Sequence, residues 1–158
     1  VDYRIADLVF LRGVHLFDRV IQRVTHSPYS HVAGVVLPGQ LMEARASRRV
    51  GYVPLSAYKG LADLYTCDEL NEGQRAGIRD YVLREYGYDY DYWLIGWEGV
   101  RYLLHLVLPF QEPPRTRICS TLWCEAYRSV GVDLCPQVRF PAPADLARSL
   151  RLRKVRAL

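Results

Sequence analysis

The chain predicts an α+β fold in which an antiparallel sheet packs against helices, and three observations carry the prediction. Its 158 residues are 50% hydrophobic and 24% charged, the composition of one globular domain, 1–158, long enough to bury a core. The stretch "HVAGVVL", the turn "PGQ" and "LMEARA" read together as a β-hairpin. The candidate elements run as a helix, a cluster of strands and then helix after helix, an order that segregates strands from helices.

Each element has its own local signal. "ADLVFLRG" alternates and ends in glycine, which predicts a strand. "LFDRVIQRV" sets Leu16, Val20, Ile21 and Val24 at helical spacing, and "THSPYS" breaks that pattern with proline and small polar residues. After the hairpin, "VGYVPL" and "ADLYTC" predict two more short strands. Asp68 is the expected cap of a helix through "ELNEGQRAGIRDYVLREYG", stopped at Gly87. The tyrosine-rich "YDYDYW" follows, then an apolar stretch, then the loop "EPPRTR". From Cys119 or Ser120 a helix runs to Val130, with Gly131 as its stop. "PADLARS" predicts a last short helix with proline in its first turn.

Composition narrows the function classes. A formal charge of +4, without basic blocks interleaved with aromatics, gives no nucleic-acid signature. The basic run Arg148–Arg156 reads as a solvated end that an anionic wall or membrane surface would attract. Four cysteines are sparse for a disulfide scaffold and lack zinc-ribbon spacing; no HExxH pattern, phosphate loop or GxSxG elbow occurs. No metal and no cofactor is expected. Cys119 and Cys124 stand five apart, so on a helix they point away from each other. "WLIGWEGVRYLLHLVLPF", residues 93–110, carries Glu98, Arg101 and His105 along one stripe, which predicts an amphipathic helix rather than a membrane span. Its apolar face reads first as a core contact and second as a lid or lipid contact. No signal-peptide pattern is visible, and localisation stays open between cell envelope and cytoplasm.

Cys119 sits at the mouth of a predicted helix. A thiol there feels the unsatisfied amides and the positive end of the helix dipole, which favour thiolate; a buried, inert cysteine is the plainer reading of such a position. A nucleophilic cysteine needs a base, and the base needs an orienter. His31 is the best base, because it opens a strand directly after a turn-rich loop. Glu43 is the best orienter, the lone acid in the apolar second strand of the hairpin. The two share a face of the sheet only if the hairpin loop is odd in length or a bulge intervenes.

In sequence order "ADLVFLRG", "IQRVTHSPYSHVAGVV", "LMEA", "YDYDY", "CSTLWCEAYRSVGVDL" and "PADLARS" resemble the YiiX/YebB-like group, the circularly permuted members of the NlpC-type, papain-like cysteine hydrolases. The resemblance covers most of the chain and is faintest over residues 93–115. It implies a permuted papain-like fold in which the histidine strand precedes the cysteine helix. It implies Cys119 as nucleophile, His31 as base and Glu43 as the third polar residue. Ser120, Tyr29, Tyr88 and Tyr90 would lie at the oxyanion site or substrate cleft. The family's usual "GD" before the first strand reads "AD" here, and "ST" follows the cysteine where relatives often carry an acid. The implied activity is a cysteine peptidase or amidase acting through a thioester, with a peptide or peptidoglycan fragment as substrate. A lipid-directed acyl hydrolase or acyltransferase on the same triad, and a catalytically silent binding module, are the alternatives.

Overall fold

The computed structural model describes residues 3–13, 16–44, 49–87, 89–90, 116–117, 119–138 and 141–158. In chain order they form β1 (Leu8–Leu11), α1 (Leu16–Thr25), β2 (His31–Leu37), β3 (Gln40–Ala44), β4 (Val50–Pro54), a 3-10 turn (Leu55–Tyr58) and β5 (Ala62–Thr66). Then come α2 (Glu72–Arg84), β6 (Asp89–Tyr90), β7 (Thr116–Arg117), α3 (Cys119–Arg128), α4 (Pro143–Ala147) and β8 (Arg153–Ala157). Six strands make one antiparallel sheet in the order β4-β3-β2-β1-β5-β8, while β6 and β7 pair in parallel. The α+β class with an antiparallel sheet against helices is therefore what the chain forms.

Alternation along the strands divides the core. Leu8, Phe10, Val32, Val36 and Met42 face a layer built by Ile78 and Val82 of α2 and Leu122, Trp123, Ala126 and Tyr127 of α3. Val9, Ala33, Val35, Leu41 and Leu64 face the other way, where Val53 and Tyr58 cover them. In α3 the residues Cys119, Leu122, Trp123, Ala126 and Tyr127 are all buried, at the i, i+3, i+4, i+7, i+8 spacing of a single helical stripe. Cys119 is the first member of that stripe, so burying the stripe also fixes where its thiol goes.

Gly34 lets α3 come close. A β-carbon there would stand 2.4 Å from the Trp123 ring, so only glycine admits the indole onto β2. In the turn before β1, Ala6 takes φ +68°, a left-handed conformation that glycine would adopt without strain.

Three expectations are corrected. The helix predicted to start under an Asp68 cap starts at Glu72, because Asn71 and Gln74 close a reciprocal capping box: Asn71 Oδ1 accepts from Gln74 N at 2.8 Å and Asn71 N donates to Gln74 Oε1 at 3.1 Å. Asp68 instead pairs with Arg4 and Arg153. The C-terminal basic run is not merely a solvated end. Residues 153–157 form edge strand β8 on β5, held by backbone pairing that charged side chains do not oppose. The end of "EPPRTR" is likewise strand β7. The amphipathic stretch 93–110 and Tyr88 lie outside the described residues. Among the described residues no helix is long and apolar enough to cross a membrane.

Candidate functional site

His31 begins β2 and Glu43 stands one residue from the end of β3, so both lie at the same end of the antiparallel pair. His31 Nε2 is 2.9 Å from Glu43 Oε2, and the Tyr58 hydroxyl donates to that same oxygen at 2.6 Å. The hairpin has a two-residue turn, which by itself would put the two side chains on opposite faces. The register shifts between Val35 and Leu37: Leu37 pairs with Gln40, but Val35 pairs with Leu41 and Gly34 with Met42. Continued one step, that register sets Glu43 opposite Ala33, on the face of His31. A β-bulge therefore brings base and acid together.

Cys119 arrives from the other layer. It heads α3, which packs on the opposite face, and meets the imidazole at the sheet's end, where β2 starts. Its thiol is hydrogen-bonded to the His31 side chain and also receives the backbone N–H groups of Val32 and Ser120. With Nε2 engaged by Glu43, Nδ1 is the ring nitrogen left for sulfur. Cys119 is buried, and the His31 side chain is 19% exposed, so solvent reaches the pair along the imidazole.

The electrostatics follow from this contact. Burial is the largest single influence on Cys119 and opposes its thiolate, but the His31 charge, the His31 hydrogen bond and the amides of Val32 and Ser120 together outweigh it, and the thiol sits below its ordinary value. Burial is likewise the largest single influence on His31 and opposes an imidazolium; attraction to the Cys119 thiolate, the Cys119 and Glu43 hydrogen bonds and the Glu43 charge together overcome it, and His31 is pushed up to about 10. The two charges support each other.

Of the other expected residues, Ser120 is buried and contributes its backbone N–H to the sulfur. Tyr29 is also buried, and its hydroxyl donates to Asp63 Oδ2 at 2.6 Å and lies 3.1 Å from the Tyr65 hydroxyl. Arg12 donates to both oxygens of Asp63, and Lys154 Nζ lies 2.9 Å from Oδ2. Tyr29 thus ties the loop before His31 to β5. The backbone of Tyr90 lies in β6; Tyr88 is outside the described residues. Sequence reasoning missed Tyr58 and the Val32 amide. Neither had a readable signal: Tyr58 ends a short turn, and every strand residue carries an amide.

Among the described residues no group of three His, Cys, Asp or Glu side chains is placed to hold a metal ion. Cys119 and Glu43 engage different nitrogens of the His31 ring, so the donor atoms of these three side chains do not converge.

The chain matches no family model and no curated protein. Among solved structures it is similar to the crystal structure of metalloprotein yiiX from Escherichia coli O157:H7, with a TM-score of 0.73 and 16% sequence identity over 98% of this chain and 97% of that one. The fold is therefore related to that of the yiiX protein, along nearly the whole of both chains.

Proposed function

We propose that this chain is a single-domain, circularly permuted papain-like cysteine hydrolase of the NlpC type that cleaves an amide or peptide bond. The observation that carries the reading is the hydrogen-bonded order Cys119–His31–Glu43, with the sulfur at a helix start and the imidazole at a strand start. Cys119 sulfur would attack the carbonyl carbon while the imidazolium holds the thiol's proton. The amides at the start of α3 would face the developing oxyanion. Collapse breaks the amide bond, the leaving amine takes the proton from His31, and a thioester remains. His31 then takes a proton from water, whose oxygen attacks the thioester; the acid is released and the Cys119 thiolate leaves, which restores the thiolate–imidazolium pair. Glu43, steadied by Tyr58, would hold the imidazole's orientation throughout.

A peptide of the bacterial cell wall is the substrate class this reading favours, by analogy of family. Lipid acyl groups are the second reading, which rests on the basic character of strand β8; there Arg153 already pairs with Asp68 and Lys154 with Asp63, so the cell-wall reading is preferred. Incubation with peptidoglycan fragments and, separately, with phospholipid vesicles, followed by mass spectrometry, tests both. Cleaved peptide bonds support the first reading and released acyl chains the second. Failure of Cys119 to outpace the other thiols with a small electrophile, together with no turnover, makes the chain a binding module.

A further inference from the structure

Three cysteines take no part in the proposed chemistry, and two of them meet. Cys124 lies on α3 and Cys135 on the segment that follows it, eleven positions on, both buried in the same core cluster. Arg128, one helical turn after Cys124 on the same face, lays that segment against the helix. Its guanidinium donates to the carbonyls of Cys135 at 3.0 Å and Val138 at 3.2 Å, and its Nε lies 3.1 Å from Asp133 Oδ1. Val132 N also bonds back to the Tyr127 carbonyl at 3.1 Å, so the return is fixed at both ends. The two thiols share a hydrogen bond, and the sulfur of Cys124 is held below the ordinary thiol value by the S–H of Cys135, against the cost of burial and with help from the Arg128 charge. Burial instead pushes the Cys67 thiol up.

We propose that Cys124 and Cys135 are a dithiol that closes to a disulfide on exposure to a small disulfide oxidant, independently of the Cys119 site. With oxidised glutathione the steps balance. Cys124, whose sulfur the S–H of Cys135 favours as thiolate, attacks one sulfur of a glutathione disulfide that enters past Cys135, 6% exposed and followed by the exposed Pro136; the glutathione S–S bond breaks and one glutathione leaves with one proton. Cys135 sulfur then attacks the Cys124 sulfur and expels the second glutathione, which takes the second proton. Two protein thiols are oxidised and one glutathione disulfide is reduced. The new bond ties the segment after α3 to the helix that carries Cys119 at its head.

The test uses the full chain with Cys119→Ser, which removes the most reactive thiol, equilibrated in a predominantly oxidised glutathione buffer without denaturant. The expected product has lost the mass of two hydrogen atoms, and its non-reducing peptide map joins the peptides of Cys124 and Cys135. Its melting temperature rises on the order of 5 °C and returns on reduction. Cys124→Ala and Cys135→Ala, each added to that background, keep the full mass or carry glutathione. A chain that keeps both thiols free, that links only after denaturant is added, or that links through Cys67 overturns the proposal.

Discussion

Gly34 on β2 and Trp123 on α3 are packed so closely that an alanine at position 34 would put its β-carbon 2.4 Å from the indole ring. The indole is fully buried, so it has nowhere to turn, and the whole helix must give. Because Cys119 lies one turn before Trp123, this contact sets the height of the sulfur above the start of β2.

Gly34→Ala is expected to destabilise the chain by at least the ~1–3 kcal/mol typical of core overpacking, and to weaken the preference of electrophiles for Cys119. Gly51→Ala is the control. Its β-carbon would meet nothing nearer than the Arg49 carbonyl at 3.7 Å, so it should be tolerated. Melting temperatures and iodoacetamide rates of the two variants check this; equal behaviour would remove Gly34 from the argument.

The alkylation of Cys119 should begin below the ordinary thiol range. Its pKa is lowered and that of His31 is raised to about 10, so the thiolate–imidazolium pair exists from the first value up to the second. Alkylation should rise through the lower limit and then stay level, because thiolate persists above it. Turnover should fall again near the upper limit, where the imidazolium that protonates the leaving amine is lost. In His31→Ala burial is no longer opposed, and the onset of alkylation should move up to about pH 8.5, where an ordinary thiol ionises, or higher. Rates measured across pH on both proteins decide it.

Glu43→Gln should keep partial turnover, since an amide oxygen still accepts from the imidazole, whereas Glu43→Ala leaves the ring unheld and should be slower by a further order of magnitude or so. Tyr58→Phe removes the hydroxyl that donates to Glu43 Oε2 at 2.6 Å. It should cost about 1–2 kcal/mol of stability and shift the pH limits of turnover, an effect that simple loss of packing does not produce. Full kcat/KM profiles against pH separate orientation from fold.

Cys119→Ser changes one atom where two backbone N–H groups, those of Val32 and Ser120, are available to an oxygen. Stability should change by no more than about 1 kcal/mol, while turnover nearly vanishes, because a serine hydroxyl is far less acidic. Full turnover in this variant, or loss of its fold, would set aside Cys119 as the nucleophile.

Much of the fold was legible locally. The hairpin, the strands β1, β4 and β5 and the buried stripe of α3 each write their period into consecutive residues, and Gly131 and Pro143 mark ends by backbone restriction alone. The start of α2 was misplaced by a few residues because Asp68 and Asn71 are both good caps, and the choice fell to the partner three residues on, Gln74. Strand β8 went unread because charged residues dominate "RKVRA"; it forms because β5 offers an unpaired edge and Val155 packs against the core beside it.

The candidate site divides in the same way. Residue chemistry singled out Cys119, His31 and Glu43: a thiol at a helix start, an imidazole after a turn-rich loop, and one acid in an apolar strand. It could state the condition for His31 and Glu43 to meet, an odd turn or a bulge, but not which obtained. A bulge is a choice of pairing partners across two strands, made where the extra residue between Val35 and Leu37 lets Glu43 be buried against Tyr58 rather than displayed on the helical face. The approach of Cys119 depends in turn on Gly34 accepting Trp123, a contact between residues eighty-nine positions apart. Residue type and spacing determined which groups could react; the register of one hairpin and the packing of one helix on it decided that they stand together.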